Sequence, residues 1–459
     1  MSTRYRVVEN FRMLAILRTP LLSGAASRAL VVAAVLGCAV ASIMPGASMA
    51  STGALATHNE APELVSVAMD GTAAGGVTDE SGVSATGRFV VFVSTASDLV
   101  PGDTNGASDV FVRDRTLKTT TRVSVASDGA QTVPAFPALP DSSFVPRISA
   151  NGSEVVFASW ANNLFPWPTG GGAGCTPWCP GELGTHFYVH YMTTGETRMI
   201  DTSATGSPAN DDTVPQGAQI VLSGNGRYAA FGSNATNLVP FAGEGHEPQV
   251  YVKDLKTGAI ERASVSSSGQ AFNEPPGVGA PLAISNNGKI VVFQSTLPLD
   301  PSEPTDSVFV RNRKTRTTTG FAMYSELGAV PQPLSSDGRV YAAFVSGGTT
   351  LAWELDGTPP LTPTPLPSVK GPPLTNSDGS VLYFVSETDV AGDGLGPGIF
   401  AYNRLTGITS RSTLISCFAL QAATRQGTLF VGLRREGPSE PCGAGELNVY
   451  AQAKRRSGA

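Results

Sequence analysis

Apolar residues along this chain gather in short runs set between turn residues, and one run recurs. Gly87-Arg88-Phe89-Val90-Val91-Phe92 returns as Gly152-Ser153-Glu154-Val155-Val156-Phe157 and as Gly226-Arg227-Tyr228-Ala229-Ala230-Phe231. It returns again as Gly288-Lys289-Ile290-Val291-Val292-Phe293 and as Gly338-Arg339-Val340-Tyr341-Ala342-Ala343-Phe344. Gly379-Ser380-Val381-Leu382-Tyr383-Phe384 and Gln426-Gly427-Thr428-Leu429-Phe430-Val431 are weaker copies. Each is a Gly-bearing turn followed by an apolar run of strand length with an aromatic at or near its end. A strand phrase that returns every roughly 40–75 residues signals a propeller or a related array.

The flanking segments recur too. After Phe92 a turn at Pro101 to Gly106 leads to Asp109-Val110-Phe111-Val112-Arg113-Asp114. This run matches Gln249 to Asp254, Ser307 to Asn312 and Gly398 to Asn403. The turn that follows contains Thr194-Gly195, Thr257-Gly258 or Thr406-Gly407, where Gly permits a hairpin with positive φ. Another run, Arg122-Val123-Ser124-Val125, returns as Arg262-Ala263-Ser264-Val265, and Val145 to Ser149 precedes a Gly turn. Alternation and β-branched residues between Gly, Pro, Asn and Asp clusters mark antiparallel strands. Each unit is a four-stranded meander, which is one propeller blade. The fold class is therefore all-β, a β-propeller of seven four-stranded antiparallel blades, with the count open by one because the last two copies are weak.

The two ends predict how the ring closes. Glu63 to Gly71 resembles the fourth-strand phrase but has no blade before it, and the last unit stops after its third strand, Leu447 to Ala451. The N-terminal strand is expected to complete the last blade and cover two open sheet edges. The expected organisation is a leader over 1–50, a linker over 51–60, the propeller over 61–453 and a basic tail over 454–459. Pro is tolerated on edge strands, so the Pro-rich run over 358–367 reads as the outer strand of the fifth blade.

The leader carries Arg4, Arg6, Arg12, Arg18 and Arg28, an apolar run from Ala29 to Met44, and small residues before Ala50. That is the order of a secretory signal peptide. An uncleaved membrane anchor and a lipid attached at Cys38 are the alternatives, and all three put the body outside the cytoplasm, secreted or periplasmic and at the cell envelope. Charged residues make up 15% of the 459 and the net charge is −6, without the basic stripe of a nucleic-acid binder. The 51 Gly and 34 Pro suit many short strands. Past Cys38, Cys175, Cys179, Cys417 and Cys442 remain, an even set that favours disulfides in an oxidising compartment. Local pairing, Cys175 with Cys179 and Cys417 with Cys442, is the favoured one of three arrangements.

The Asp/Asn-Gly turn, the strand ending in Phe, the Asp-Val-Phe-Val-Arg-Asp strand and the Thr-Gly hairpin together resemble WD40-like (PD40) propeller repeats of the TolB type, over roughly residues 61–453. The resemblance implies a periplasmic interaction scaffold. The α/β domain that TolB carries beside its ring has no counterpart here.

Candidate chemistry is sparse. The chain has no G-x-S-x-G elbow and four His. His186 and His190 lie four apart and share a face at strand spacing, either as binding or metal residues or as satisfied side chains. Asp103, Asn105 and Asp109 surround a Gly turn with hard oxygen donors of the kind calcium prefers; the competing reading is an Asx turn. Trp167 and Trp178 lie among Gly, Pro and Cys and suit a binding surface for sugar or peptide. The expected function is a secreted, non-enzymatic propeller that binds a protein or envelope partner. The alternative is an extracytoplasmic hydrolase or lyase acting on glycans, with its acids drawn from separate blades.

Overall fold

The computed structural model describes residues 62–133, 143–161, 163–165, 185–210, 220–240, 248–271, 278–295, 307–322, 334–345, 349–356, 364–366, 373–386, 388–413, 418–424, 429–435 and 447–453. The expected leader, linker and tail, Trp167, Trp178, Cys175, Cys179, Cys417 and Cys442 lie outside the described residues. Seven antiparallel sheets follow one another along the chain, with no helix among the described residues.

Blade 1 takes its strands, in order, from Thr78–Val83, Phe89–Ser94, Asp109–Asp114 and Thr119–Arg122. Blade 2 uses Ser143–Ile148, Glu154–Ser159, His186–Tyr191 and Thr197–Met199. Blade 3 uses Ile220–Leu222, Tyr228–Ser233, Gln249–Asp254 and Ile260–Arg262. Blade 4 uses Val278–Ile284, Ile290–Ser295, Ser307–Asn312 and Thr317–Ala322. Blade 5 has Val340–Val345, Thr349–Glu354 and Thr364–Leu366, with Leu334 bridging Tyr341 on the first-strand side. Its edge strand, Thr364–Leu366, lies inside the Pro-rich run. Blade 6 uses Leu374–Thr375, Val381–Ser386, Gly398–Asn403 and Ile408–Thr413. Blade 7 has Phe418–Ala423, Leu429–Arg435 and Leu447–Ala453, and on the outer side of the last of these Glu63 and Leu64 pair antiparallel with Ala451 and Tyr450.

The second and third strands are continuous apolar runs because each blade is buried on both faces. Alternate side chains go to opposite neighbours. Val90, Phe92 and Phe111 pack with Leu429, Val431 and Val449 of blade 7. Val91, Val93, Val110 and Val112 pack with Val155, Phe157 and Tyr188 of blade 2. Every one of the seven seams between neighbouring blades holds a buried apolar cluster of this kind.

The recurring Gly turn is a joint between blades. Ala85 N donates to Ala150 O, Ala150 N to Gly224 O, Asn225 N to Asn286 O, Asn286 N to Ser336 O and Ser336 N to Ser377 O. Room for a Cβ on the turn glycine is taken by a side chain from the preceding blade. The occupant is Leu429 at Gly87, Phe89 at Gly152, Tyr228 at Gly288, Ile290 at Gly338 and Val340 at Gly379. The hairpin between third and fourth strands lies at the same end, tied by Arg115 N to Arg88 O, Met192 N to Ser153 O and Leu255 N to Arg227 O.

Candidate functional site

The residues picked out for calcium do come together. Asn105 Nδ2 donates to Asp109 Oδ2 at 2.9 Å, and Arg122 Nη1 lies 3.0 Å from Asp103 Oδ1 and 3.5 Å from Asp109 Oδ2. Ser124 and Thr132 hydroxyls donate to Asp109 Oδ1 at 2.5 and 3.1 Å. Burial, and then the charge of Asp109, raises the Asp103 carboxyl above its ordinary range; burial raises Asp109 too. The cation placed between these carboxylates is Arg122. Among the described residues no group of three or more His, Cys, Asp or Glu is assembled to hold a metal.

His186 and His190 are both buried, because they lie on a third strand enclosed by its neighbours. Ser124 Oγ in blade 1 and Ser264 Oγ in blade 3 each accept from the second residue of the third strand, Val110 N or Val250 N, at 3.0 Å. They donate in turn to Asp109 or Gln249. Blade 2 inverts the pair. Asp201 Oδ1 accepts from Phe187 N at 3.1 Å, and its Oδ2 meets His186 Nδ1 at 2.6 Å. His190 Nδ1 lies 2.9 Å from Thr197 Oγ1, whose own proton goes to Val125 O of blade 1 at 2.6 Å. With that hydroxyl proton already committed, His190 Nδ1 must be the donor. Burial pushes the His190 imidazole down to about 4. Both histidines thus hold strands and seams together.

The seams differ in one place that faces solvent. At three of them an arginine of the third-to-fourth hairpin acts as a strap. Arg115 Nη1 donates to Gly87 O at 2.8 Å, Arg313 Nη1 to Gly288 O at 2.5 Å and Arg404 Nη1 to Gly379 O at 3.0 Å. Their guanidinium groups also pair with an acid of the preceding blade, Glu63, Glu261 and Glu354 respectively. At two other seams the same hairpin position is apolar and plugs the gap, Met192 beside Phe89 and Leu355 beside Ile290.

The seam between blades 2 and 3 has no strap, and its apolar hairpin residue, buried in the seam cluster, faces an acid instead of an apolar side chain. The hairpin position is Leu255, the side chain against Gly226 is Glu154, and Arg198 stands opposite Val189 as Glu261 stands opposite Val252. A groove of about 540 Å³ opens here, with Glu154, Tyr191, Glu196, Arg198, Gly226, Arg227, Leu255 and Lys256 in its wall. A cavity of about 260 Å³ adjoins it through Tyr191, Arg198, Leu255 and Lys256.

Most charges in the groove are spoken for. Arg198 grips Glu196 through Nε and Nη2 at 2.5 and 2.7 Å, which holds the Glu196 carboxyl below its ordinary range. Arg227 grips Asp254 at 2.7 Å, and Tyr191 donates to Leu255 O at 3.1 Å. Lys253 in the adjoining cavity donates to Thr202 O, Thr202 Oγ1 and Ser203 O at 2.6, 2.9 and 3.1 Å, and burial pushes it down to about 8. Glu154 accepts only from the Ser153 hydroxyl, at 2.8 Å, and has no cationic partner among the described residues. The Lys256 ammonium has no carboxylate partner among them either.

Residue-by-residue reading of the sequence passed over this groove, although the signal was there: Glu154 is an acid where the other copies carry Phe89, Tyr228, Ile290, Val340, Val381 and Leu429. It also passed over the first strands of blades 1 and 2. There Glu80 and Val145 hold positive φ of 36° and 54° at bulges, and Val145 N donates to Glu80 Oε2 at 2.5 Å. Burial raises the Glu80 carboxyl against the pull of the Arg147 charge.

No protein-family model and no curated protein matches this chain. Solved structures are similar at low identity. An oligogalacturonate lyase from Vibrio parahaemolyticus is 11% identical over 84% of this chain and 95% of that one, with a TM-score of 0.48. The β-propeller domain of the Trilobed protease from Pyrococcus furiosus is 9% identical over 83% and 96%, also at 0.48. TolB from Acinetobacter baumannii is 10% identical over 73% of this chain and 62% of its own, at 0.36. None of the three bears on what the groove does.

Proposed function

We propose that this chain is an extracytoplasmic, WD40-like repeat propeller of the TolB type that binds a polypeptide partner at the groove between blades 2 and 3. One observation carries the reading: among the described residues this seam combines an acid against its turn glycine with a missing strap, and a groove opens there. The aromatic and paired-ion walls at Tyr191, Arg198 and Arg227 suit a protein ligand, since such residues are enriched in interfaces. The signal-like N-terminus favours the extracytoplasmic side.

A photo-crosslinking residue in place of Thr193 or Lys256, in the groove, is compared with one in place of Leu405, which is 85% exposed on blade 6. In an envelope extract the groove positions should label one shared partner that Leu405 does not, with excess wild-type protein competing. Equal labelling from all three positions refutes the reading.

A second reading, a hydrolase or lyase acting on glycans, draws on Glu80, a strained residue whose carboxyl is pushed toward its neutral, proton-donating form. It calls for glycan cleavage that disappears in Glu80→Gln.

A further inference from the structure

We propose that the groove receives an arginine side chain of the bound polypeptide, seated between Glu154 and the carbonyl of Gly226. The inference rests on the reading of the groove as the partner surface and adds the chemistry of what enters it.

The molecule supplies its own template. At three seams a guanidinium bonds the turn-glycine carbonyl and, with its remaining N–H groups, an acid of the preceding blade. A planar guanidinium with several fixed donors suits that two-sided seat. Between blades 2 and 3 the glycine carbonyl is kept and the guanidinium is missing; the template's acid position holds Arg198, and the carboxylate comes instead from the position that carries Leu429, Tyr228 and Val340 at the strapped seams. Gly226 occupies the place of Gly87, Gly288 and Gly379, with φ +72° against their +76°, +70° and +75°. No hydrogen bond among the described residues reaches its carbonyl oxygen. The acid is Glu154, contributed by blade 2 and packed so closely on Gly226 that a Cβ there would collide with its carboxylate.

An apolar residue at 154 would close the gap, as Phe89 does beside Met192 and Ile290 beside Leu355. Glu154 instead leaves a half-buried carboxylate in a walled groove. A buried or half-buried charge is stabilised when a partner satisfies it. The side chain that enters runs its methylenes along Leu255 and Tyr191. Arg198 and Arg227 border the seat, and each has its charge already paired, Arg198 with Glu196 and Arg227 with Asp254, so Glu154 is the carboxylate left for an incoming cation.

The test uses the full propeller with methyl-labelled leucine, read by NMR at Leu255. The probes are N-acetyl-arginine amide, its neutral isostere N-acetyl-citrulline amide, and N-acetyl-aspartate amide. The arginine probe should shift the Leu255 methyls, with citrulline weaker by about tenfold or more, the factor a lost charge-assisted bond represents. Glu154→Gln should weaken the arginine probe by about the same factor. Leu255→Arg, which supplies the strap in cis and removes the reporter, is read by calorimetry instead and should raise Tm, with no further rise when the arginine probe is added. Equal response to arginine and citrulline, or to arginine in wild type and Glu154→Gln, overturns the proposal. So does a response to the aspartate probe alone, which leaves the groove a binding surface of the opposite preference. Silence at Leu255 with all three probes also overturns it, and the crosslinking outcome then decides separately whether the groove binds a partner.

Discussion

A histidine four residues from another on one strand face looks like half of a metal site until its surroundings are known. His186 and His190 have that spacing, yet each is buried with a partner of its own. Spacing along a strand reports which face a side chain takes, and in a blade both faces are interior. The role of His186 was legible only by setting the copies side by side: it stands where Asp109 and Gln249 stand, and Asp201 stands where Ser124 and Ser264 stand. His190 makes a pH prediction. Its folded value, about 4, lies below the unfolded value of 6.5. The unfolded chain therefore takes the proton first, and stability is full above pH 6.5 and is lost as pH falls from 6.5 toward 4. The full effect is about 3 kcal/mol. His190→Gln should remove that component, so the wild-type and variant curves of unfolding free energy should converge as pH falls through the window. Curves that stay parallel refute it.

At the scale of the element, the strands were readable from apolar runs and turn residues, and so was the need for glycine in the turns. What a single copy does not disclose is that two kinds of turn use glycine differently. Gly288 and Gly258 both have positive φ, +70° and +76°. A Cβ on Gly258 would meet nothing within 4 Å, whereas one on Gly288 would collide with the Tyr228 ring of the preceding blade. Gly258→Ala should cost about 1 kcal/mol from the left-handed backbone alone. Gly288→Ala should cost that and a further ~1–3 kcal/mol for displacing a packed ring. Denaturant titration of the two variants separates the terms; equal losses refute the inter-blade role of the turn. The same logic explains why the groove was missed. A strap, a plug or an opening is a property of two residues on different blades, Leu255 with Glu154 or Arg115 with Glu63, and no run of adjacent residues displays it.

For the whole molecule the question is what joins the last blade to the first. Val65 and Ala74 are buried in one cluster with Val90 and Phe92 of blade 1 and with Leu429, Val431 and Val449 of blade 7. Glu63 and Leu64 make a ladder of two residues with Tyr450 and Ala451, and Val65 N extends it to Val449 O at 2.8 Å. Glu63 also pairs with Arg115 and, at 2.6 Å, with Lys118, both on blade 1. Residues 63–65 thus pair with the last strand of blade 7, and Glu63 also contacts blade 1. A ladder of two residues is weak by itself, since a short strand stabilises mainly through what its side chains bury. We therefore expect the side chains to matter more than the pairing. Removing residues 61–70 should lower Tm by well over the ~1 °C that 1 kcal/mol represents in a chain of this size, because it uncovers the apolar seam along with the edge of Leu447–Ala453. Glu63→Gln keeps the ladder and Val65 while weakening the half-exposed ion pairs, and should cost no more than about 1 kcal/mol. Calorimetry on both variants tests the order. A truncation that melts with the wild type sinks the role of this strand in closing the ring, and a Glu63→Gln loss as large as that of the truncation shifts the closing role from buried apolar contact to the ion pairs.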